Sequence, residues 1–404
     1  MTRSAPIRIV VINQYFPPDT SATARVVGDA VDALTAAGHS VTVIAGRPSY
    51  HPSSRRPWRL VQSESYKMAR VDRVGSSAFD RHMMSGRIVN YLSYALLALI
   101  RALFTRSQAI LAMTDPPISP IIGAIVALIH RVPLVVNVRD LHPDMAIAGG
   151  MVRRGAMTFT WERLTRWALR RATRVIVLGE DMRRRVIAKG VPSARVVVVR
   201  DGAELMPDRV EALPNVAEVR GHFAFVVMHA GNVGFAGDWD SVLGAAEQLE
   251  GSGVGFVFVG SGAATDRIHS RAADHRNVRL VASRPVEQVS ALLEAGDLQL
   301  VTLRDGLDGL VVPSKLYPIL MAGRPVLAVV PEESDVAAIV REANCGWVVR
   351  PGNADGVANA VREAVAEGES LAAYGRRARA AGSRFDRRAL MLDLVSAVEG
   401  AVAP

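Results

Sequence analysis

The sequence predicts an α/β protein with two doubly wound, Rossmann-like domains that face a central cleft. Its 404 residues suffice for two domains of ordinary size. Strand-like and helix-like segments alternate through both halves, which is typical of doubly wound sheets. A strandless stretch with two prolines, residues 201–215, separates the halves. We therefore predict an N-terminal domain over residues 1–203 and a C-terminal domain over 204–385, with a final helix near 386–404 that packs back on the first domain.

The first half opens with Ile7–Ile12, a continuous apolar run of the kind that forms a central parallel strand. A helix is predicted from Ser21 to Gly38, because glycine commonly ends helices. Helices are also predicted at 88–104 and 118–130. The apolar run 88–104 is shorter than the roughly 20 residues of a membrane span, so we expect a buried helix there. Further strands are predicted at 41–45, 109–113, 134–138, 175–178 and 196–199.

The second half repeats the alternation of strands and helices. Parallel strands place their carboxyl ends at one edge of a sheet, where α/β proteins bind ligands. Two such domains in tandem therefore predict a ligand cleft between two sets of strand ends. The predicted strands of this half are 225–229, 255–259, 278–281, 298–302, 326–330 and 347–349.

Composition excludes several classes of protein. A single cysteine, Cys345, rules out a disulfide scaffold and leaves too few sulfur ligands for a structural zinc. The N-terminal segment MTRSAPIRIVVI lacks the apolar core of a signal peptide, and its apolar run has the length of a strand. We expect a cytoplasmic protein.

The charge differs between the halves. Residues 1–200 carry 29 Lys and Arg against 12 Asp and Glu, a net charge of +17, whereas residues 201–404 carry a net charge of −8. A basic half favours an anionic partner such as a phosphorylated substrate, an anionic lipid or nucleic acid. The segment Arg153–Arg174 has seven arginines interleaved with Trp161, Trp167 and other apolar residues. That composition fits a helix at the inner face of a membrane, and it equally fits a surface helix packed on its own domain.

No common nucleotide-binding fingerprint is present. The turn after the first strand contains no glycine, which excludes a G-x-G-x-x-G dinucleotide site, and the chain has no P-loop sequence. The pair Gly260 and Gly262 follows a predicted strand, but it indicates only a tight turn into a helix.

The most informative segment is GLVVPSKLYPILMAGRPVLA, residues 309–328. We expect Ser314 to cap a helix that ends at Gly323, which would leave the amides of Lys315 and Leu316 free. Lys315 is also the only lysine of the second half. Free amides, helix dipole and ammonium together predict a diphosphate site. The alternative is a solvated lysine on a capped helix.

Two further loops carry candidate residues. In HAGNVGF, residues 229–235, glycines would let the backbone approach an anion, although the stretch also suits a simple strand-to-helix turn. In VRDLHPDM, residues 138–145, charged side chains follow a predicted strand, which places them for chemistry. A histidine satisfied within its loop is the alternative. One histidine among carboxylates is a poor metal-ligand set, so no metal is predicted.

Several segments, taken in order, resemble glycosyltransferase family 4, which has the GT-B fold. They are NQYFPPD, GHSVTVIAGRPSYHP, TDPP, VRDLHPD, GNVGF…WDSVL and VPSKLY…MAGRPVLA, and they extend over nearly the whole chain. Within the family the chain is similar to bacterial transferases of colanic-acid and O-antigen synthesis, including N-acetylfucosamine transferases. The resemblance implies an anomer-retaining, metal-independent transferase that needs no cofactor besides its co-substrate, a UDP-sugar.

The resemblance also assigns roles to residues. The catalytic residues would be Arg139, Asp140 and His142. The acceptor would be bound by the N-terminal domain, through Asn13, Tyr15, Thr20, Ser21 and Asp144. The nucleotide sugar would be bound by the C-terminal domain, through Gly231, Asn232, Gly234, Arg284, Ser314, Lys315 and Leu316.

The sequence departs from the family pattern at several of these positions. Two glutamates of the wider family fall on Leu310 and Pro318, so the usual contacts to donor sugar and ribose are missing. Arg139 replaces a histidine, and His142 replaces the tryptophan of similar members. Asn232 stands where the family often has a basic residue, so Lys315 is expected to meet the phosphate charge.

Two other function classes are weighed against the transferase. A GT-B epimerase acting on UDP-sugars would need acid–base carboxylates around the sugar, and the absent glutamates weaken that hypothesis. A nucleic-acid-binding protein would explain the basic half, but no aromatic-rich sheet or helix-turn-helix pattern supports it. The acceptor is left open between a polyprenyl-diphosphate-linked sugar and a small natural-product aglycone, and the possible partners include a membrane surface contacted by the basic domain.

Overall fold

The computed structural model describes residues 5–48, 59–75, 77, 84–204, 216–284 and 288–402. The chain divides into two compact units, Met1–Arg200 with Arg388–Pro404, and Asp201–Arg387. Most of the proline-containing stretch 201–215, and the end of the GRPSYHP motif, lie outside the described residues.

The described strands of the first unit form one sheet, and all neighbouring pairs are parallel except the hairpin Val61–Tyr66 with Ala69–Val74. The strands are β1 Arg8–Ile12, β2 Ser40–Gly46, β3 Val61–Tyr66, β4 Ala69–Val74, β5 Ala109–Met113, β6 Leu134–Asn137, β7 Arg174–Val177 and β8 Val196–Val198. Their order across the sheet is β3-β4-β2-β1-β5-β6-β7-β8. The six strands predicted in this half are present, whereas the β3–β4 hairpin was not predicted.

Two helices of this unit, those that begin at Ala22 and Ser119, start within one residue of the predicted positions. Ser21 caps the first helix, because its Oγ accepts a hydrogen bond from the Ala24 amide at 3.2 Å. The helices are α1 Ala22–Ala36, α2 Met84–Leu103, α3 Ser119–His130, α4 Asp144–Ala148, α5 Ala156–Arg171 and α6 Glu180–Ala188. Helix α3 packs against both α2 and α5.

Helix α2 corrects one prediction. A buried helix was expected, yet only Tyr94, Ala98 and their neighbours on one face are buried, whereas Leu92 and Leu96 are exposed. None of the described helices is both long and apolar enough to cross a membrane.

The second unit has a six-stranded sheet in its described part, and every neighbouring pair is parallel. The strands are β9 Phe225–Ala230, β10 Val254–Val259, β11 Val278–Val281, β12 Leu298–Thr302, β13 Val326–Val329 and β14 Gly346–Val349, in the order β11-β10-β9-β12-β13-β14. The helices are α7 Val216–Arg220, α8 Trp239–Gln248, α9 Thr265–Asp274, α10 Val289–Leu293, α11 Leu316–Met321, α12 Asp335–Ala343, α13 Ala354–Ala366 and α14 Leu371–Gly382. The predicted doubly wound α/β fold is confirmed in both units.

The last helix, α15 Arg387–Val402, belongs to the core of the first unit. Leu394, Val395 and Val398 are buried there among apolar side chains of β1, β2 and α1. The buried ring of His39 adds a polar contact, with its Nε2 3.1 Å from Glu399 Oε1.

Candidate functional site

Three segments that are far apart in sequence meet at the carboxyl edge of the second unit's sheet. Two of them are the loops that follow the neighbouring strands β9 and β10. The Gly231 amide donates to the Val259 carbonyl at 2.8 Å, and the Val233 amide donates to the Ser261 carbonyl at 3.0 Å. The third segment is the turn before α11. The structure thus brings together the GNVG, GSG and PSK segments of the sequence.

The glycines of the β10 loop are required by the closeness of the two loops. A Cβ at Gly260 would lie 1.9 Å from the Gly231 carbonyl oxygen, and a Cβ at Gly262 would lie 2.3 Å from the Val233 carbonyl oxygen. Gly260 also has φ +145°, a conformation that favours glycine. These two glycines therefore do more than form a turn, because they let the β9 loop pack backbone to backbone against the β10 loop.

Lys315 crosses over Gly231 and is held by the β9 loop. A Cβ at Gly231 would lie 2.6 Å from the Cε of Lys315 and would push this side chain aside, and the φ of +123° at Gly231 also favours glycine. The ammonium Nζ donates to the Asn232 carbonyl at 3.0 Å. Burial lowers the pKa of Lys315 to about 8. Gly231, Asn232 and Lys315, all predicted donor-binding residues, are therefore in contact.

The prediction for the start of α11 is wrong in two respects. Ser314 does not cap the helix, since the N-cap position is Lys315 in helical conformation and no side chain makes the capping hydrogen bond. The Leu316 amide is not free either, because it donates to the Pro313 carbonyl at 3.3 Å. A turn over Pro313 and Ser314 leads into the helix and uses its first amides. With six residues, α11 is also too short to offer a strong dipole. The ammonium of Lys315 remains, whereas the predicted set of free amides does not.

A buried histidine and a tryptophan shape the β9 loop from inside. His229 has its Nδ1 3.3 Å from the Leu300 carbonyl and its Nε2 3.3 Å from the Asn232 carbonyl. Burial, and then the charge of Lys315, lower the pKa of His229 to about 3, so the ring is neutral and donates to only one carbonyl. The Trp239 ring packs edge-on against His229, and its Nε1 donates to the Gly234 carbonyl at 2.7 Å. Sequence reasoning quoted both residues within motifs but assigned them no role.

A second cation at the same edge was missed. Arg304 follows the end of β12, the neighbour of β9, and its amide donates to the Ala236 carbonyl at 2.8 Å. Its guanidinium carbon lies 5.9 Å from the centre of the Phe235 ring. Its position two residues after the predicted strand 298–302 was the signal that could have found it. The predicted Arg284 is exposed beyond β11, the edge strand next to β10.

The remaining donor-side positions agree with the observed packing. Gly234 lies against its own loop, since a Cβ there would be 2.9 Å from the Asn232 side-chain nitrogen. Leu310, at one of the two positions where the family has glutamate, is buried. Pro318, at the other, lies within α11. Neither position supplies a carboxylate.

In the first unit, the loop after β6 carries the three predicted catalytic residues. The amides of Arg139 and Asp140 donate to Thr114 Oγ1, at 2.9 and 3.3 Å, which ties this loop to the end of β5. The His142 ring stacks on Trp161 of α5, with ring centres 5.5 Å apart. Burial lowers the pKa of His142 to about 4, although Asp144 opposes the shift. The imidazole is therefore neutral near pH 7.

The same loop is anchored by a buried lysine. Lys189 Nζ donates to Asp144 at 2.5 Å and to both carboxylate oxygens of Glu162 at 2.8 Å. Arg170 adds a hydrogen bond from its Nε to the Lys189 carbonyl at 3.1 Å. Asp144, predicted on the acceptor side, thus pairs with Lys189, although its side chain is 41% exposed.

The other predicted acceptor-side residues lie at the end of β1 and the start of α1. Asn13 is buried, and its Nδ2 donates to the Tyr15 carbonyl at 2.6 Å. Its Oδ1 has no hydrogen-bond partner among the residues that the structure describes. Tyr15 is buried and Thr20 is exposed, while the Ser21 hydroxyl is used as the cap of α1. Within the described residues, no three His, Cys, Asp or Glu side chains gather as metal ligands would.

Comparison with protein families and known proteins gives consistent results. A glycosyl transferase 4-like domain matches residues 21–202, and a glycosyl transferases group 1 domain matches residues 224–367. The probable glycosyltransferase WbjE of Pseudomonas aeruginosa is 27% identical over 266 residues, which are 64% of this chain and 66% of that protein. The putative colanic acid biosynthesis glycosyl transferase WcaI of Escherichia coli K12 is 23% identical over 335 residues, 78% of this chain and 82% of that protein.

Solved structures share the fold over nearly the whole chain. Anabaena Alr3699/HepE in complex with UDP-glucose superposes with a TM-score of 0.67 at 16% identity, over 96% of this chain and 98% of that one. WaaG, a glycosyltransferase involved in lipopolysaccharide biosynthesis, superposes with a TM-score of 0.67 at 18% identity, over 97% and 99% of the two chains.

Proposed function

The chain belongs to glycosyltransferase family 4 and has the GT-B fold of two doubly wound domains, and from this we propose that it transfers a hexose or an N-acetylhexosamine from a UDP-sugar to an acceptor hydroxyl. The transfer retains the anomeric configuration and uses no metal. The second unit binds the nucleotide sugar, and the first unit binds the acceptor. The product is a polysaccharide or glycolipid, or a glycosylated natural product. The complex of Anabaena HepE with UDP-glucose supports the UDP-sugar, and the name of WcaI supports polysaccharide synthesis.

The contact of Lys315 with the glycine-bearing β9 loop carries this proposal. The Lys315 ammonium lies against the backbone of Gly231 and Asn232, and a positive charge beside a glycine-bearing loop suits a diphosphate. Negative charge on the diphosphate grows as the sugar leaves, so a fixed ammonium stabilises the transition state more than the bound substrate. Arg304 and Arg284 add positive charge at the same edge of the sheet.

The loop after β6 is proposed to supply the other catalytic groups. Arg139 would stabilise the leaving diphosphate or hold donor hydroxyls, while Asp140 and His142 would orient the acceptor or accept its proton. The low pKa of His142 makes it a weak base, which favours a hydrogen bond that orients the acceptor hydroxyl over full proton removal. Arg139→Ala should lower kcat strongly and change the free energy of unfolding little. A variant that keeps the wild-type kcat would refute the assignment.

The decisive experiment is steady-state kinetics of Lys315→Ala with the donor. Losing one charge-assisted contact in a site of this kind costs about 2–4 kcal/mol, so kcat/KM should fall roughly 30- to 1,000-fold. Lys67→Ala is the matched control, because Lys67 is an exposed lysine of the first unit paired with Asp32. A well-folded Lys315→Ala enzyme with wild-type kcat/KM would move the phosphate site away from α11.

The base of the donor can be tested separately by thermal shift. Ligands that bind only the folded state raise the melting temperature, so UDP and its sugars should raise it more than GDP- or dTDP-sugars. Equal shifts with all three bases would refute the uridine assignment. An acceptor panel assayed with and without membranes separates a lipid-linked acceptor from a soluble aglycone.

A further inference from the structure

The outer face of α2 is apolar from Val89 to the end of the helix. Val89, Leu92, Leu96 and Ile100 follow one another at intervals of three or four residues, and Phe104 comes directly after the helix. Their exposed fractions run from 44% at Val89 to 80% at Phe104. Such spacing places them in one line about 22 Å long. This line, Val89 to Phe104, is called the α2 stripe.

The α2 stripe continues onto the neighbouring helices. His130, the last residue of α3, has its Nε2 3.1 Å from the Leu103 carbonyl, which holds the ends of α2 and α3 together. Leu128 and Ile129, just before it, are 50% and 58% exposed. Across α3, helix α5 exposes Phe159 and Leu164. Eleven of the sixteen large apolar side chains exposed among the described residues lie between Val89 and Leu164.

The charge on this helical layer is predominantly positive. Arg106, Arg131, Arg163 and Arg171 are exposed on or beside it. Helices α2, α3 and α5 contain one acidic residue, Glu162. Both of its carboxylate oxygens already accept hydrogen bonds from Lys189. The layer therefore exposes the apolar α2 stripe to solvent, with arginines beside it. No acidic residue on these three helices balances the charge of those arginines.

We propose that the α2–α3–α5 layer binds the surface of an anionic lipid bilayer. Apolar side chains of this size enter the boundary between head groups and acyl chains, and flanking arginines pair with anionic head groups. A second copy of the chain is a poorer occupant, since a two-fold contact would set arginines against arginines. Nucleic acid would leave the α2 stripe uncovered by apolar surface. The surface lies on the first unit alone, and binding needs neither donor nor acceptor.

The test is flotation of the full chain with vesicles of phosphatidylglycerol or of phosphatidylcholine. Leu92→Gln with Leu96→Gln removes two side chains of the α2 stripe and should weaken partition onto phosphatidylglycerol at least tenfold. Arg106→Gln with Arg163→Gln removes two charges and should weaken it about 30-fold. Both pairs are exposed, so the melting temperature should stay within about 2 °C of wild type, a shift worth less than about 1 kcal/mol.

Matched controls carry the same changes elsewhere. Leu392→Gln alters an apolar residue of α15 that is 62% exposed, and Arg376→Gln alters an exposed arginine of α14. Both controls should float like the wild type, and phosphatidylcholine should bind much less protein. Three results would overturn the proposal: no flotation of the wild type with phosphatidylglycerol, flotation unaffected by both variant pairs, or a dimer that the leucine pair converts to monomer without any lipid binding.

Discussion

Proton uptake should accompany donor binding if Lys315 holds the diphosphate. Its ammonium has a pKa of about 8 in the free protein because it is desolvated. A bound diphosphate places negative charge beside it and raises this pKa toward or above its ordinary value. At pH 8 about half of the free molecules carry a neutral Lys315, so binding should take up about half a proton. Only the charged form binds well, and its fraction falls from about nine-tenths at pH 7.0 to about a quarter at pH 8.5. Donor affinity should therefore weaken about fourfold over that range.

The assay is isothermal titration calorimetry with UDP-glucose at pH 8.0, in buffers of different ionisation enthalpy. The dependence of the observed heat on that enthalpy gives the number of protons taken up. Lys315→Met is the control and should bind weakly, without proton uptake. His229 and His142 do not interfere, because their pKa values of about 3 and 4 keep both rings neutral from pH 7.0 to 8.5. Equal affinity at both pH values, or the same uptake in the methionine variant, would refute the argument.

The contacts support three further predictions. Gly262→Ala should push the β9 and β10 loops apart, since its Cβ would lie 2.3 Å from the Val233 carbonyl oxygen, and calorimetry should show donor affinity at least tenfold weaker. Gly155→Ala is the control and should leave donor affinity unchanged, because its Cβ would meet no described atom within 4 Å. The stability effects of Gly231→Ala and Lys315→Ala should be non-additive in a double-mutant cycle measured by thermal unfolding, because Lys315→Ala removes the Cε that a Cβ at 231 would contact. An interaction energy below about 0.5 kcal/mol in that cycle would contradict the contact. Lys189→Met leaves the carboxylates of Asp144 and Glu162 without their shared cation and should lower the free energy of unfolding by about 2–3 kcal/mol, as measured by urea denaturation. An unchanged urea midpoint would show that these ion pairs add no stability.

Strand positions were predictable because buried parallel strands are continuous apolar runs with no polar alternation. The predicted strands at 109–113, 278–281 and 298–302 agree with the structure to the residue. The hairpin β3–β4 was not predicted, since its first strand VQSESY is mostly polar, has no fully buried residue and lies at the sheet edge. Helix α2 was assigned correctly, but both of its faces are apolar, so periodicity could not tell the buried side at Tyr94 from the exposed side at Leu92.

The candidate site was predictable in its parts and not in its assembly. The glycines of the β9 loop and Lys315 were predicted to bind an anion, and the structure places Lys315 in contact with this loop. The error at Ser314 is local, because serine before a helix normally caps it, whereas here the Pro313 carbonyl accepts the Leu316 amide and delays the helix by one residue. His229 and Trp239 support the β9 loop through a contact between their rings and through hydrogen bonds to the Asn232 and Gly234 carbonyls. These contacts depend on the folded structure and leave no pattern in the sequence.

The position of Lys315 supports the proposed diphosphate site in a β9 loop where Asn232 stands in place of the basic residue that the family often has. The lysine reaches the loop from 83 residues further along the chain, and its Nζ is already fixed by one hydrogen bond to a carbonyl. An ammonium has three N–H groups, so this bond holds the side chain in place while leaving donor capacity for an anion. A side chain ordered before the ligand arrives loses little entropy on binding. The cost is desolvation, visible in the lowered pKa, and a diphosphate offsets that cost because it restores a charged partner. Gly231 belongs to this arrangement, since its φ of +123° favours glycine and a Cβ there would push the Lys315 side chain from its observed position.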